Sequence, residues 1–375
     1  MQELQIGSAR PLVLVAAGGT GGHLFPAEAL SVALARRAVA VELATDARAS
    51  RYGHAFPARA THIIPSATVR GRDPVSLSRT AAMLATGIVK AWLLLGRAKP
   101  AVVVGFGGYP SIPPVLAATL RGIPTVIHEQ NGVMGRANRF LAKRVTAIAT
   151  GFPGVADRDP ALAAKATHVG NPVRPAVIEA AKTGFAGVSP GGRVRLLVFG
   201  GSQGARVMAD VVPPAVAALD QGLRSRLTVV QQAREEDVAR VRSAYVRAGV
   251  GAEVAPFFAD LPARMAACHL VVSRSGASTV AELAAIGRPA ILVPLPHALD
   301  QDQRANAAVL EHAGGAILVP QEEFTPDRLA SDIAALMNAP DRLAAMAAAA
   351  KSAGTVDAAE RLADLVLRIA GGAKS

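Results

Sequence analysis

The sequence predicts an α/β protein made of two doubly wound domains with parallel sheets, and three observations predict it. Short apolar runs alternate with longer helix-like stretches along the whole chain. Several of these runs are nearly continuous in Val, Ile and Leu, the pattern of strands covered by helices on both faces. A strand, a Gly-Gly pair, a Ser or Thr and a further glycine occur together twice: LVLVAAGGTGG ends at Gly22, and RLLVFGGSQGA ends at Ala205, close to half the chain later.

Taken in order, strands are expected at 12–17, 39–43, 101–105, 124–128 and 145–150, and again at 195–199, 227–231, 253–257, 270–273 and 290–294. Two prolines and a glycine in HVGNPVRPAV (168–177) mark the boundary, giving domains of 1–170 and 171–354. The alanine-rich tail reads as helix from about 341 to 370, broken at SAGTVDAAE (352–360), so 355–375 stands as a separate final helix.

The bulk properties narrow the classes of function. A chain of 375 residues suits two domains of ordinary size. Its formal net charge of +12 invites an anionic partner. The basic residues are scattered and aromatics make up only 4%, which argues against a nucleic-acid platform and for an anionic membrane surface or a phosphorylated small molecule. Cys268 is the single cysteine, so no intramolecular disulfide can form; beside HLVVS it reads as a small buried residue of a reducing compartment. Arg10 and PLVLVAA imitate the core of a signal peptide, but the run is short and leads straight into glycines. The longest apolar stretch, 83–95, contains Lys90 and falls short of the ~20 residues of a membrane span, so a soluble or peripheral protein is expected.

Four glycine turns lie between strand-like and helix-like runs: GGTGGH (18–23), GFGGYPS (105–111), GGSQGAR (200–206) and SRSGASTVAE (273–282). Glycine lets the backbone approach a phosphate, and the helix start supplies free N–H groups and partial positive charge. None is a P-loop, and Leu24 occupies the last place of a Gly-x-Gly-x-x-Gly string. Such turns sit at the carboxyl ends of strands, where open α/β sheets bind ligands. Four of them, from two domains, lead to the expectation of an interdomain cleft holding a polar, phosphorylated ligand.

Within SGASTVAE, Ser275, Ser278 and Thr279 offer hydroxyls at a helix start. Glu282 lies one turn further, where it could accept both hydroxyls of a ribose or reach back as a cap. His128, Glu129, Gln130 and Asn131 place four polar groups at the end of a buried-type strand, calling for a bound ligand or an internal network. His23 stands at a helix start, which favours a neutral imidazole suited to a general base; a packed capping residue is the other reading. Metal chemistry has little support: Asp157-Arg158-Asp159 and Asp300-Gln301-Asp302 read as loop acids, and no His/Cys cluster has zinc spacing.

Together GGTGGH, GGY, HEQNG, GNPVR, GGSQGA and SRSGASTVAE resemble, in order and spacing, the MurG family of bacterial cell-wall N-acetylglucosaminyltransferases, from about residue 12 to the final helix. The resemblance implies a GT-B fold: two Rossmann-like domains facing across a cleft, with helix 355–375 returning to the first. It implies an inverting transfer of N-acetylglucosamine from UDP-N-acetylglucosamine to the 4-hydroxyl of the muramyl sugar of lipid I, forming lipid II, with no metal or other cofactor required. The first domain would face acceptor and membrane, and the second would bind the UDP-sugar.

Carried over by position, Ser202 would meet the diphosphate. Ala277, Ser278 and Thr279, with Val280 and Ala281, would supply the helix start for it. Glu282 would hold the ribose, Arg174 would lie near the nucleotide, and the backbone at Phe258 would recognise uracil. Thr20, Gly21, Gly22 and Asn131 would face the donor sugar. Gln303, counted back from Asn306, would grip that sugar, with Gln301 as the competing choice. His23 is the base or the group orienting it, with Glu129 and His128 as the rival or supporting pair.

The acceptor's lipid tail implies membrane contact. In 77–97, Met83, Leu84, Ile88, Trp92, Leu93 and Leu95 lie beside Arg79, Lys90 and Arg97, with Arg70 and Arg72 upstream. A peripheral place on the cytoplasmic face of the inner membrane follows, with other cell-wall synthesis or division proteins as partners and no nucleic acid. The rival readings are another UDP-sugar enzyme of the same fold, an epimerase or lipid glucosyltransferase, and a dinucleotide-dependent oxidoreductase.

Overall fold

The computed structural model describes residues 11–18, 21–47, 56–66, 73–201, 204–296 and 301–372. The chain forms two compact units: Met1–Gln130, Met134–Pro172 and Asp357–Ser375 make the first, and Asn131–Val133 with Val173–Val356 make the second.

The first unit runs β1 (Leu12–Ala16), α1 (Gly21–Arg36), β2 (Ala40–Thr45), β3 (Ala60–Ile63), α2 (Pro74–Ala98), β4 (Val102–Gly105), α3 (Ile112–Leu120), β5 (Thr125–Glu129), α4 (Arg136–Ala142), β6 (Ala147–Thr150), α5 (Pro160–Ala163) and β7 (Ala166–His168). The second runs α6 (Pro175–Ala180), β8 (Val194–Phe199), α7 (Arg206–Ala218), α8 (Gln221–Arg226), β9 (Leu227–Gln232), α9 (Glu235–Ala248), β10 (Gly251–Ala255), α10 (Leu261–Ala267), β11 (Leu270–Ser273), α11 (Ala277–Ile286), β12 (Ala290–Leu292), α12 (Asp302–His312), β13 (Ala316–Leu318), α13 (Pro326–Met337) and α14 (Pro340–Ser352). The last helix, α15 (Ala358–Gly372), belongs to the first unit and packs on α1.

Both sheets are parallel. Their strand orders are β3-β2-β1-β4-β5-β6-β7 and β10-β9-β8-β11-β12-β13. The order reverses between β1 and β4 in the first sheet and between β8 and β11 in the second. In open sheets of this kind, the crevice for a ligand opens outside the carboxyl ends of the strands at that switch point. GGTGGH and GFGGYPS follow β1 and β4; GGSQGAR and SRSGASTVAE follow β8 and β11. All four glycine turns therefore lie at the two switch points.

The period of two along β1 divides the first core. Val13 and Val15 pack with Leu30 and Leu34 of α1 and Leu362, Leu365 and Val366 of α15, while Leu14 and Ala16 pack with Ala91, Leu94 and Leu95 of α2 and Val115 of α3. Arg37 braces α15 through ion pairs to Glu360 (2.7 Å) and Asp364.

The differences from the expected strands fall at the sheet edges. β3, β7 and β13 were not expected, and β10 begins two residues before 253–257; these four are the edge strands of the two sheets. An edge strand has one pairing partner and need not be apolar on both faces: β3 alternates between half-buried and exposed, and most of β10 is exposed. Pro256 cannot donate to a ladder, so β10 ends before it.

The apolar stretch of α2 is also longer than expected. Ser78–Ala98, 21 residues, is long and apolar enough to cross a membrane, because small residues extend the run beyond 83–95; of its residues Gly87, Ala91, Leu94 and Leu95 are buried in the protein. Gly87 lets α2 lie close to its neighbours: a Cβ there would sit 2.2 Å from the Pro65 carbonyl oxygen. Leu95 was expected on an outward face but is core, because it packs towards β1; exposed Val89 takes a place beside Met83, Trp92 and Leu93 instead.

Candidate functional site

In the first unit the site is built at the β1–β4 switch point. His23 sits in the first turn of α1, half-buried. Gly107 and Gly108 cross it in a left-handed turn, with φ of 79° and 68°. Any Cβ on Gly108 would come within 3.1 Å of the His23 ring, so glycine is required there for both conformation and space. Thr20, expected to face the donor sugar, lies outside the described residues. Gly21 is buried at the start of α1 and Gly22 is exposed.

β5 delivers the polar cluster. Its pairing with β4 and β6 buries the whole strand, so His128 and Glu129 end it in the interior, at 0% and 1% exposure. His128 Nε2–H donates to the Gly170 carbonyl oxygen (3.0 Å), and its Nδ1 accepts from Gln130 Nε2 (3.1 Å). The other end of the Gln130 amide, Oε1, is 3.3 Å from His23 Nδ1. Burial pushes His128 down to about 4, against a smaller opposing effect of the Gly170 carbonyl, so it is neutral. Glu129 Oε2 accepts from Gly135 N and Asn138 Nδ2, both at 2.9 Å, which secures the turn into α4.

Of the two places expected for His128 and Glu129, rival base or supporting pair, these contacts favour the second. Both side chains are buried and engaged by their own chain. The strand end is an internal hydrogen-bonded network whose half-exposed terminus is His23.

In the second unit, α11 starts at the β8–β11 switch point. Gly276 is its N-cap residue and no side chain caps it, so the amides of Ala277, Ser278 and Thr279 are presented at its start. Val280 does not contribute: its N–H already donates to Gly276 O (3.0 Å) and its side chain is core. Ala281 is half-buried one position further along. Ser275 was expected to offer its hydroxyl, but it is fully buried and donates to Gln303 O (2.8 Å). Ser202 lies outside the described residues.

Glu282 does not reach back as a cap. Arg174, just before α6, brings Nη2 to 2.9 Å and Nε to 3.3 Å of Glu282 Oε1. Burial raises the carboxyl and the guanidinium opposes that rise. Both guanidinium nitrogens meet one oxygen, so the two-oxygen pairing is not formed. Phe258 is buried under the Arg264 guanidinium, 4.3 Å from the ring, while the neighbouring Phe257 is 69% exposed.

Gln303 accepts from Leu295 N through Oε1 (3.0 Å), tying α12 to the segment after β12, while Gln301 is exposed in a left-handed conformation, with φ of 54°. Asn131 Oδ1 accepts from Asn306 Nδ2 (3.1 Å), and Asn306 Oδ1 accepts from Gly132 N (2.7 Å). Asn306, fully buried, therefore positions the Asn131 turn; as a polar residue inside an apolar helix face it carried a signal. Gln130 was visible in sequence only as one of four polar groups, and its bridging place needed the backbone of Gly170. Among the described residues no group of three or more His, Cys, Asp or Glu side chains is arranged to hold a metal ion.

Residues 13–150 match the glycosyltransferase family 28 N-terminal domain and 195–362 match the family 28 C-terminal domain. A UDP-N-acetylglucosamine–N-acetylmuramyl-(pentapeptide) pyrophosphoryl-undecaprenol N-acetylglucosamine transferase of Rhodopseudomonas palustris (strain BisB18) is 63% identical over 361 residues, 96% of either chain. Its namesake from Bradyrhizobium sp. (strain BTAi1 / ATCC BAA-1182) is 62% identical over 364 residues, 97% of this chain and 99% of that one. Among solved structures, Acinetobacter baumannii MurG superposes with a TM-score of 0.77 at 28% identity, covering 96% of this chain and 99% of that one. A UDP-GlcNAc 2-epimerase from Neisseria meningitidis shares the fold alone, with a TM-score of 0.67 at 13% identity over 95% of this chain and 100% of that one.

Proposed function

The chain belongs to glycosyltransferase family 28, in its MurG branch with the GT-B fold, and from that premise we propose how its residues carry the transfer. It is a hexosyltransferase of cell-wall peptidoglycan synthesis: N-acetylglucosamine passes from UDP-N-acetylglucosamine to the muramyl sugar of lipid I, and lipid II results. The epimerase reading is not favoured, since relatives 60–63% identical over nearly the whole chain are transferases. The dinucleotide-dependent oxidoreductase and the lipid glucosyltransferase fall with it.

The observation that carries the mechanism is the His23 ring, half-buried beside Gly108 at the carboxyl ends of β1 and β4. His23 takes the proton from the acceptor's 4-hydroxyl as that oxygen attacks the anomeric carbon. One base suffices for a single inverting displacement. The departing diphosphate gains charge, which the uncapped amides of Ala277, Ser278 and Thr279 meet together with Ser202. Glu282 holds the ribose through Oε2, since Arg174 occupies Oε1. The backbone at Phe258 reads uracil. Thr20, Gly21, Gly22 and Asn131 contact the donor sugar, and Gln303 or Gln301 grips it. No metal or other cofactor is required in this reading.

The lipid-borne acceptor is met at a membrane. Met83, Val89, Trp92 and Leu93 project from α2 beside exposed Arg79, Lys90 and Arg97, an apolar face rimmed by positive charge. Arg70 and Arg72 lie outside the described residues. This supports a peripheral place on the cytoplasmic face of the inner membrane, in the company of other cell-wall and division proteins and with consequences for cell shape. Thermal unfolding with UDP-N-acetylglucosamine, UDP-glucose and NADH tests the donor: a rise in midpoint with the first alone is expected. A rise with NADH and none with either nucleotide sugar overturns the reading.

A further inference from the structure

We propose that Gln130 is a positioning residue, locked by His128 and the Gly170 carbonyl so that His23 carries its proton on Nδ1 and presents Nε2 as the basic atom. The inference rests on His23 being the base, and it assigns the atom and the machinery that selects it.

Groups that can only accept fix where the protons of this network lie. The Gly170 carbonyl has no proton to give, so at 3.0 Å it requires a proton on His128 Nε2. A neutral imidazole has one N–H, and fully buried His128 is neutral. Its Nδ1 is then an acceptor and must face a donor. Gln130 supplies one, with Nε2 at 3.1 Å. The same Nε2 is 3.1 Å from the His128 carbonyl oxygen, a second group that can only accept. Two independent partners therefore orient the amide, and its Oε1 must point the other way. That oxygen lies 3.3 Å from His23 Nδ1, which can meet it only as an N–H. The lone pair of His23 falls on Nε2, on the ring edge beside Gly108.

The device is clamped further. Asn171 Nδ2 donates to Gln130 O (2.8 Å), fixing the main chain at the bridging residue. Gln130 itself is 2% exposed, so water does not substitute for its amide in the bridge. A catalytic imidazole elsewhere uses a carboxylate to hold its tautomer. Here a neutral amide does so, adding no charge beside a site that must accept a diphosphate.

The test is direct. Histidine-labelled full-length protein read by two-bond 15N–1H correlation reports the tautomer of each ring. His23 should appear as the Nδ1–H form, with Nε2 unprotonated, and His128 as the Nε2–H form. An Nε2–H signature at His23 in the unsubstituted protein overturns the proposal, whatever the activity. Gln130→Leu should shift His23 towards a mixture and lower kcat by about 10- to 100-fold, less than removal of the base itself, with donor KM unchanged. His128→Asn places an amide oxygen near the former Nδ1 and should retain more turnover than His128→Leu. Equal losses in these two variants, with folded spectra, overturn the relay. If the tautomers are as stated but His23→Ala keeps its turnover, the base assignment fails and the positioning stands as geometry alone.

Discussion

Arg174 and Glu282 form an ion pair at 2.9 Å in which the carboxylate is 6% exposed and the guanidinium is three-quarters covered. Removing the cation leaves a buried carboxylate without compensation. Arg174→Ala is expected to cost about 3 kcal/mol of stability and to raise donor KM. Glu282→Gln, which keeps the shape and removes the charge, should cost less stability while still raising donor KM. Chemical denaturation and donor titration check both. A neutral Arg174→Ala would show that the pair is not coupled to folding.

His23→Ala should lower kcat by about 100- to 10,000-fold with donor KM little changed, since a base acts on the acceptor's proton in the transition state. Steady-state kinetics against UDP-N-acetylglucosamine check it. A raised donor KM with unchanged kcat would remove the assignment.

His128 gives the fold a pH dependence. Burial pushes it from an ordinary 6.5 to about 4, so between those values the unfolded chain takes up a proton that the folded protein declines. Stability therefore falls as pH drops from about 6.5 towards 4 and levels off below, by about 3 kcal/mol in all. Glu282, raised by burial, acts in the opposite sense over its own range. The difference between unsubstituted protein and His128→Asn isolates the histidine. The variant should lose less stability over that window in unfolding measured at stepped pH.

Cys268 is buried and free, with burial pushing its thiol up to about 12. It should resist alkylation at pH 8 in the folded protein and react fully once denatured. Mass spectrometry before and after denaturation reads this. Rapid labelling of the folded protein would mean that α10 opens readily.

Trp92→Glu with Lys90→Glu should release the protein from vesicles rich in anionic lipid while leaving its unfolding midpoint nearly unchanged, because both side chains are exposed. Vesicle sedimentation checks it, and unchanged binding would exclude α2 as the contact.

The central strands and the glycine turns were legible in the sequence, because a strand buried on both faces must be apolar throughout and glycine marks its junction with the following helix, with left-handed backbone at Gly107, Gly108, Gly201 and Gly204. The edge strands β3, β7 and β13 were not, since one-sided pairing imposes no such pattern. Within the site, His23 and Glu282 stood out by residue type and place. What sequence could not show was connectivity: that Gln130 points to His23, that Glu282 meets Arg174 instead of capping α11, and that Ser275 spends its hydroxyl on Gln303. Each depends on a group brought in from a distant element.

The placement of α15 has a consequence for biogenesis. Strands β1 to β7 emerge from the ribosome before the second unit, but Leu362, Leu365 and Val366, which with α1 cover one face of their sheet, are made only after it. The first unit thus waits until the second has been synthesised to finish its core, and loss of α15 leaves part of that apolar face covered by α1 alone.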